Sequence, residues 1–226
     1  MEVYMKKIMA TLMALAVVLS FVTPSLFAQN VYSESNMGMM AWGIKGGLSL
    51  SKFTGKDASN DFTSQKYRPS GAAGAFATYR LSDMFAASLE PMWVQRGNKF
   101  DAVAEDGSTH SVSTRVDYID VPLLAKFYVP TSSNFHPNIF VGPDVAFRLD
   151  AKEKDTNSSQ SINIKDNVKS TDFGVAFGLG TDYDIGKGGV SVDGRYYAGL
   201  TKIDNTASKS TIRNGDFLFL VGYSFK

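Results

Sequence analysis

The sequence alternates with a period of two between apolar residues and polar or small residues. The clearest stretch is 171–183, where Phe173, Val175, Phe177 and Leu179 share one face. The opposite face carries mainly glycine, alanine and aspartate. Alternation of this kind predicts a β-strand with two different faces. Because the second face is small and polar, it favours the narrow interior of a barrel over a solvent-exposed sheet surface.

Eight segments show this alternation, and each is close to the 9–11 residues of a tilted membrane strand. Segment 70–80 has the weakest pattern, because residues 71–77 are nearly all small. The pattern predicts an all-β fold, an eight-stranded antiparallel up-and-down transmembrane β-barrel over residues 41–226. The predicted strands are 41–51, 70–80, 85–97, 116–129, 138–149, 171–183, 189–200 and 216–225.

The connections between these segments alternate between long and short. Long polar connections are predicted at 52–69, 98–115, 150–170 and 201–215, and short ones at 81–83, 130–137 and 184–188. Membrane barrels have long outer loops and short periplasmic turns. The alternative is a soluble barrel of the lipocalin type, which would place its apolar face inside. The charged residues on the other face instead make the apolar face the outside.

The N-terminus has the pattern of an export signal. Lys6 and Lys7 precede an apolar run from Ile8 to Val22, and small residues lead to Ala28. This order predicts a secretory signal peptide over 1–28 and a short periplasmic segment over 29–40. The alternative is a signal anchor or a buried helix, for which the run is short. The start could be Met1 or Met5, because Met-Lys-Lys is a common opening of such signals.

Composition excludes several classes of protein. The chain has no cysteine, which excludes a disulfide framework, a cysteine zinc site and a lipidated N-terminal cysteine. The net charge is +1, so nothing indicates nucleic-acid binding. Removing 1–28 takes away two of the 23 basic and one of the 22 acidic residues, which leaves a formally neutral chain. The mean hydropathy of −0.10 is too low for a helical membrane protein.

Charged residues recur on the predicted inner face. Because a lone charge in a small lumen is costly, we expect these groups to pair in a structural network. The alternative is a narrow ion or proton path. The acidic residues are Glu90, Asp120, Asp144, Asp172, Asp182 and Asp193, and the basic residues are Lys45, Arg96, Lys126, Arg148 and Arg195.

Aromatic residues cluster near the ends of the predicted strands. Rings at these positions are typical of an interfacial girdle, although β-propensity alone also enriches them. The residues are Trp42, Trp93, Phe127, Tyr183, Tyr196, Tyr223 and Phe225. The final strand, with its near-terminal Phe225, looks like the assembly signal of outer-membrane barrels, although Lys226 displaces it by one position. It predicts the barrel-assembly machinery as a partner during insertion.

Several motifs, in order along the chain, are shared with one known family. They include GIKGGLSLS at 43–51, LSD at 81–83, LEPMWVQRG at 89–97, VDYIDVPLLAK at 116–126, GP at 142–143 and DGRY at 193–196. With these motifs the chain resembles the outer-membrane β-barrel domain family of Bacteroidetes, often called PorT-like. The resemblance implies an eight-stranded barrel in the bacterial outer membrane. It implies no single function, although one branch of the family serves protein secretion and gliding.

The sequence does not favour catalysis. Neither His110 nor His136 sits beside a strand serine with a carboxylate partner, and no metal-ligand spacing or phosphate-binding glycine loop is present. We therefore expect a non-enzymatic barrel without a cofactor, in contact with outer-membrane lipid. Its polar loops 101–114 and 152–166 could bind a protein or surface ligand, or could simply be solvated. The other hypotheses are an accessory barrel of a secretion or gliding machine and a small-solute pore.

Overall fold

The computed structural model describes residues 40–55, 65–103, 109–155, 161–205 and 211–225. The predicted signal peptide and residues 29–39 lie outside this part of the chain. No helix among the described residues is long and apolar enough to cross a membrane. The strands are β1 Met40–Thr54, β2 Arg68–Arg80, β3 Phe85–Leu89, β4 Met92–Val103, β5 Thr109–Tyr128, β6 Phe135–Asp155, β7 Ser161–Asn163, β8 Thr171–Ile185, β9 Gly188–Gly199 and β10 Arg213–Phe225.

The strands pair antiparallel into a closed ring. Apart from β3, β4 and β7, each strand pairs with its neighbour in the chain, and β1 also pairs with β10, from Trp42 opposite Phe225 to Thr54 opposite Arg213. β3 and β4 follow one another between β2 and β5 and together make one strand of the ring. The short β7 pairs only with the end of β6. The ring therefore has eight strands, which confirms the predicted eight-stranded up-and-down barrel.

The third predicted strand, 85–97, is interrupted at Glu90 and Pro91. Proline has no backbone N–H to donate to a sheet ladder. The neighbouring strands still bond across the break, because Ala75 N donates to Pro91 O at 3.0 Å and Glu90 N donates to Pro122 O at 3.1 Å. The interruption therefore leaves the wall closed.

The two ends of the barrel differ. The short connections and both ends of the described barrel lie at one end, here called the turn end, and the long connections lie at the other, the loop end. The strands extend into two of the predicted loops, 98–115 and 150–170, so these loops are shorter than predicted. β4 and β5 continue as a hairpin to Val103 and Thr109, and β6 continues to Asp155. Strands that extend beyond the ring need no apolar face, so the alternation that identifies strands disappears there.

The outer face is apolar and the inner face is polar. Ile44, Leu48 and Leu179 are each about 60% exposed on the outer face (59%, 61% and 67%). On the inner face Lys45, Glu90 and Arg96 are at most 4% exposed. A soluble barrel would have the opposite arrangement, with its largest apolar side chains inside.

One irregularity changes which residues of β6 face inward. Asp117 lies opposite Asp150 whereas Tyr118 lies opposite Arg148, so Leu149 is an extra residue in β6. Such a bulge shifts the side-chain alternation by one position. Ala151 is consequently buried at 1% exposure, although strict alternation from Ala146 would place it outside.

A matched pair of substitutions tests whether lipid covers the outer face. Leu48 lies in the middle of β1, whereas Ile162 is similarly exposed (66%) on β7 beyond the ring. We expect Leu48→Arg to lower the free energy of unfolding by about 2–4 kcal/mol, because the charge enters the bilayer. Ile162→Arg should change it by less than about 0.5 kcal/mol. Urea unfolding in phospholipid vesicles measures both, and equal small effects would contradict a membrane-facing surface.

Candidate functional site: the lumen and the loop end

Five charged side chains meet in the lumen near the turn end, and we call them the inner cluster: Lys45, Glu90, Lys126, Asp193 and Arg195. Lys45 Nζ lies 3.0 Å from Glu90 Oε2 and 2.7 Å from Asp193 Oδ2. Arg195 Nη2 donates to the same two carboxylate oxygens at 2.6 and 3.0 Å. Three cations face two carboxylates, which leaves this cluster with a net charge of +1.

Lys126 has the weakest ion pair in the inner cluster. Its Nζ lies 3.8 Å from Glu90 Oε1, which already accepts a hydrogen bond from Ser88 Oγ at 2.9 Å. The ring of Phe140 lies beside both Lys126 and Arg195, at 5.7 and 5.3 Å from their charged groups. These contacts hold the inner cluster in place from several strands at once.

Buried apolar side chains, here called the apolar layer, fill much of the lumen beside the inner cluster and beside a second polar group. This layer is formed by two sets of buried side chains, one from the β2, β4, β9 and β10 walls and one from β5, β6 and β8. The sets are Ala72, Met92, Val94, Tyr197, Leu218 and Leu220, and Leu124, Phe140 and Ala176. Small residues make room for these rings, because a Cβ on Gly174 would lie 2.4 Å from the ring of Tyr197. The lumen is therefore filled by side chains at this depth.

Arg96 is the centre of the second polar group, which lies toward the loop end. Its guanidinium forms a two-point ion pair with Asp120, and its Nε lies 3.5 Å from Asp216 Oδ2. The rings of Tyr197 and Tyr118 lie 3.7 and 5.4 Å from the guanidinium carbon. Arg96 is 0% exposed, so these groups stand in place of water around its guanidinium, although its Nε has no hydrogen-bond partner among the described residues.

Four residues predicted for the charge network are not in ion pairs among the described residues. Asp172 accepts hydrogen bonds from Asn214 (2.8 Å) and Thr201 (2.5 Å), and Asp182 accepts one from Tyr128 (2.7 Å). Asp144 is buried and one of its oxygens has no partner. Arg148 donates to the backbone oxygen of Lys165 at the loop end. The expectation of direct pairing was wrong for these four, because neutral side chains and backbone satisfy three of them instead.

Asp216 is a member of the Arg96 group that the sequence analysis missed. It is 0% exposed, and Ser49 Oγ donates to its Oδ1 at 2.7 Å. Strand alternation could have identified it, since Asp216 has the same parity as the inward residues Leu218 and Leu220. Because Asp216 is the first residue of the predicted strand, the alternation could be followed on only one side of it.

An apolar cap closes the lumen at the loop end. Val168 and Ile203, from two different loop segments, pack with Phe53, Val116 and other wall residues. Backbone hydrogen bonds join the two segments, from Lys169 N to Ile203 O at 2.8 Å and from Asn205 N to Asn167 O at 2.9 Å. The described loops therefore fold over the opening.

The outer surface of the loop end is polar. Lys66 Nζ donates to Asp101 Oδ2 at 2.8 Å and Ser111 Oγ donates to Asp101 Oδ1 at 2.6 Å, which ties the first loop to the β4–β5 hairpin. The hydrogen bond from Lys66 is the main reason that the pKa of Asp101 lies below its ordinary value. The side chain of His110 lies outside what the structure describes. Among the described residues, no three acidic or histidine side chains converge as a metal site requires.

The predicted interfacial aromatics lie at two levels. Trp42, Phe127, Tyr183, Tyr223 and Phe225 are near the turn end, where Trp42 packs on Phe225 with ring centroids 4.7 Å apart. Trp93 and Tyr196 lie further toward the loop end. There Tyr196 packs on Phe217 at 4.6 Å.

The chain matches the family model described as "Outer membrane protein beta-barrel domain" over residues 27–205. It belongs to this family. The bacterial outer membrane is therefore its location, and short turns of such barrels face the periplasm whereas long loops face the exterior. By this rule we expect the turn end to be the periplasmic end. No curated protein matches the sequence.

Solved structures of outer-membrane proteins align with most of the chain. Ail, the attachment invasion locus protein of Yersinia pestis, is 12% identical, with a TM-score of 0.41 over 84% of this chain and 99% of Ail. OprG from Pseudomonas aeruginosa is 15% identical, with a TM-score of 0.47 over 84% and 97%. Outer membrane protein W of E. coli is 15% identical, with a TM-score of 0.41 over 84% and 98%. The fold assignment itself rests on the strand pairing and the family match.

The inner cluster predicts unequal effects for two acidic residues. Glu90→Gln removes the carboxylate that faces three cations, so we expect a loss of about 3–5 kcal/mol in the free energy of unfolding. Asp172 is equally buried but bonds only neutral groups, so Asp172→Asn should cost about 1 kcal/mol. Urea unfolding in vesicles compares the two. Equal losses would mean that the ion pairs do not dominate the stability of the lumen.

Proposed function

We propose that this chain is a non-enzymatic, non-conducting barrel that holds a binding surface on the outside of the cell. The observation that carries the proposal is the filled lumen. Any solute path from end to end would have to cross the apolar cap, the Arg96 group, the apolar layer and the inner cluster. Each of these contains side chains packed from several walls, so opening a path would require several of them to move together.

The same observation argues against the pore hypothesis and the ion or proton path. Ion pathways need hydrated polar groups in a continuous sequence, whereas this lumen packs Leu218, Leu220 and the ring of Phe140 beside its charged residues. Arg96 is fixed by ion pairs and two aromatic rings and is 0% exposed. The charges of the lumen then have a structural role, since they join walls that are far apart in sequence, such as Lys45 and Asp193.

The loop end supplies the surface. The β4–β5 hairpin and the β6–β7 extension rise beyond the ring and expose polar side chains, and the contact between Lys66 and Asp101 orders part of them. Ordered extensions are a better basis for binding than disordered loops, because less conformational entropy is lost on association. At this position the barrel would bind a protein or a surface ligand outside the cell.

The resemblance to the PorT-like proteins of Bacteroidetes supports a second role, as an accessory barrel in secretion or gliding. Only the shared motifs favour it. Stoichiometric partners that remain with the barrel through purification in mild detergent would support this role. A barrel that purifies alone would favour the role as a self-contained surface protein.

Conductance in planar bilayers tests the closed lumen. We expect the folded barrel to give no regular unit steps, because no layer of its interior leaves a continuous water path. A useful second variant is Ile203→Ser, which weakens the apolar cap and leaves the Arg96 group and the inner cluster intact. It should also give no steps. Regular steps from the unmodified protein would contradict the proposal and support a small-solute pore.

A further inference from the structure

A cavity of about 190 Å³ opens inside the ring at the periplasmic end. A water molecule occupies about 30 Å³ in the liquid, so this space would hold roughly six water molecules or one small solute. Among the residues that line it are Arg80, Lys126, Tyr128, His136 and Asp182. The inner cluster closes the cavity on the side of the membrane centre, so the cavity is a blind pocket.

Lys126 lines this cavity with hydrogen-bond donors that have no acceptor in the described part of the chain. Its side chain is only 3% exposed, yet its Nζ has no hydrogen-bond acceptor among the described residues. The nearest carboxylate oxygen, Glu90 Oε1, is 3.8 Å away, and the other oxygen of Glu90 is occupied by Lys45 and Arg195. An ammonium group with three donors is therefore buried with one long ion pair and no hydrogen bond among the described residues.

Arg80 is a second cation beside the same cavity. Both Arg80 on β2 and Lys126 on β5 lie directly opposite Ala86 of β3, on its two sides. Adjacent strands are about 4.8 Å apart, so the two backbones are about 10 Å apart, and the buried Ala86 between them has only a methyl group. The guanidinium lies 4.2 Å from the centre of the Tyr128 ring and makes no ion pair among the described residues.

The acidic residues of the cavity wall already have partners. Asp182 accepts a hydrogen bond from Tyr128 at 2.7 Å, and Asp184 Oδ2 lies 3.1 Å from His136 Nε2. Lys126 is already counted in the net charge of +1 of the inner cluster. The cavity therefore presents two cations, Lys126 and Arg80, that make no hydrogen bond among the described residues, and two carboxylates that are already hydrogen-bonded.

We propose that this cavity binds a small free oxyanion, a carboxylate or a phosphate, between Lys126 and Arg80. Both cations form strong, charge-assisted hydrogen bonds to such oxygens, and the guanidinium can do so at two points. Because the cavity lies inside the ring, it is open to a solute dissolved in the periplasm and is shielded by the barrel wall from the lipid headgroups of the surrounding leaflet. The site is independent of whether the outer loops bind a partner.

The test titrates inorganic phosphate, and separately acetate, into the folded full-length barrel in zwitterionic detergent micelles. Backbone amide NMR shifts of cavity residues such as Tyr128 and Ser191 report binding. We expect saturable shifts that identify one site. Lys126→Met keeps the apolar stem and removes the charge, and Arg80→Gln removes the second cation. Each should weaken binding at least about tenfold.

Lys187→Met is the matched control, because Lys187 lies in the β8–β9 turn at the same end and does not line the cavity. It should leave the affinity unchanged. Shifts that do not saturate for either anion, or that Lys126→Met and Arg80→Gln leave intact, would overturn the proposal. If Lys126→Met does not give the dispersed spectrum of the folded barrel, Arg80→Gln at the mouth decides alone. Displacement of phosphate by phosphatidic acid in the micelles would overturn the assignment to a free solute.

Discussion

The pairing of β1 with β10 is the constraint from which the rest of the structure follows. A sheet inside a bilayer cannot leave an edge, because unpaired backbone groups have no water to bond. The first and last strands therefore close the ring along nearly their whole length. Eight strands fix a radius at which side chains fill the interior. Once the ring has closed, the apolar faces meet lipid and the polar faces are forced together in a narrow lumen.

That narrowness explains the arrangement of charges. In a wide channel Lys45, Glu90 and Asp193 could remain hydrated, but here they are within hydrogen-bond distance of one another. Buried ion pairs repay their desolvation only when the geometry is good and the remaining hydrogen-bonding positions are filled. Both groups meet this condition only in part, since Asp193 Oδ1 and Arg195 Nε in the inner cluster, and Arg96 Nε and Asp216 Oδ2 in the Arg96 group, have no hydrogen-bond partner among the described residues. Lys126, whose ammonium group makes no hydrogen bond there either, lies at a cavity.

Alternation in the sequence was sufficient to predict the ring, the number of strands and the direction of most side chains. This worked because a membrane barrel has two faces with different solvents along every strand. It failed where that condition ends. The β4–β5 hairpin and the end of β6 rise beyond the ring, so their strands have no apolar face to detect. The extra residue Leu149 in β6 shifted the pattern, so that Ala151 lies inside.

The partners of individual lumen residues were harder to predict than their direction. Inward alternation correctly indicated that Asp172 and Asp182 leave the lipid face, but their hydrogen bonds come from Asn214, Thr201 and Tyr128. These contacts join strands that are distant in the sequence, and they depend on the stagger of the closed ring. The cavity beside Lys126 arises in the same way, since its wall combines Arg80, Lys126 and Asp182 from three different strands.

The central claim is that the chain folds as a closed barrel in the outer membrane. Cell fractionation followed by an SDS gel of boiled and unboiled samples tests it most directly. The structure predicts that the protein is recovered in the outer-membrane fraction. It also predicts that the unboiled protein migrates as a separate folded band, because a closed ring of hydrogen-bonded strands resists SDS until it is heated. Recovery in the soluble periplasmic fraction, with identical mobility before and after boiling, would contradict this account.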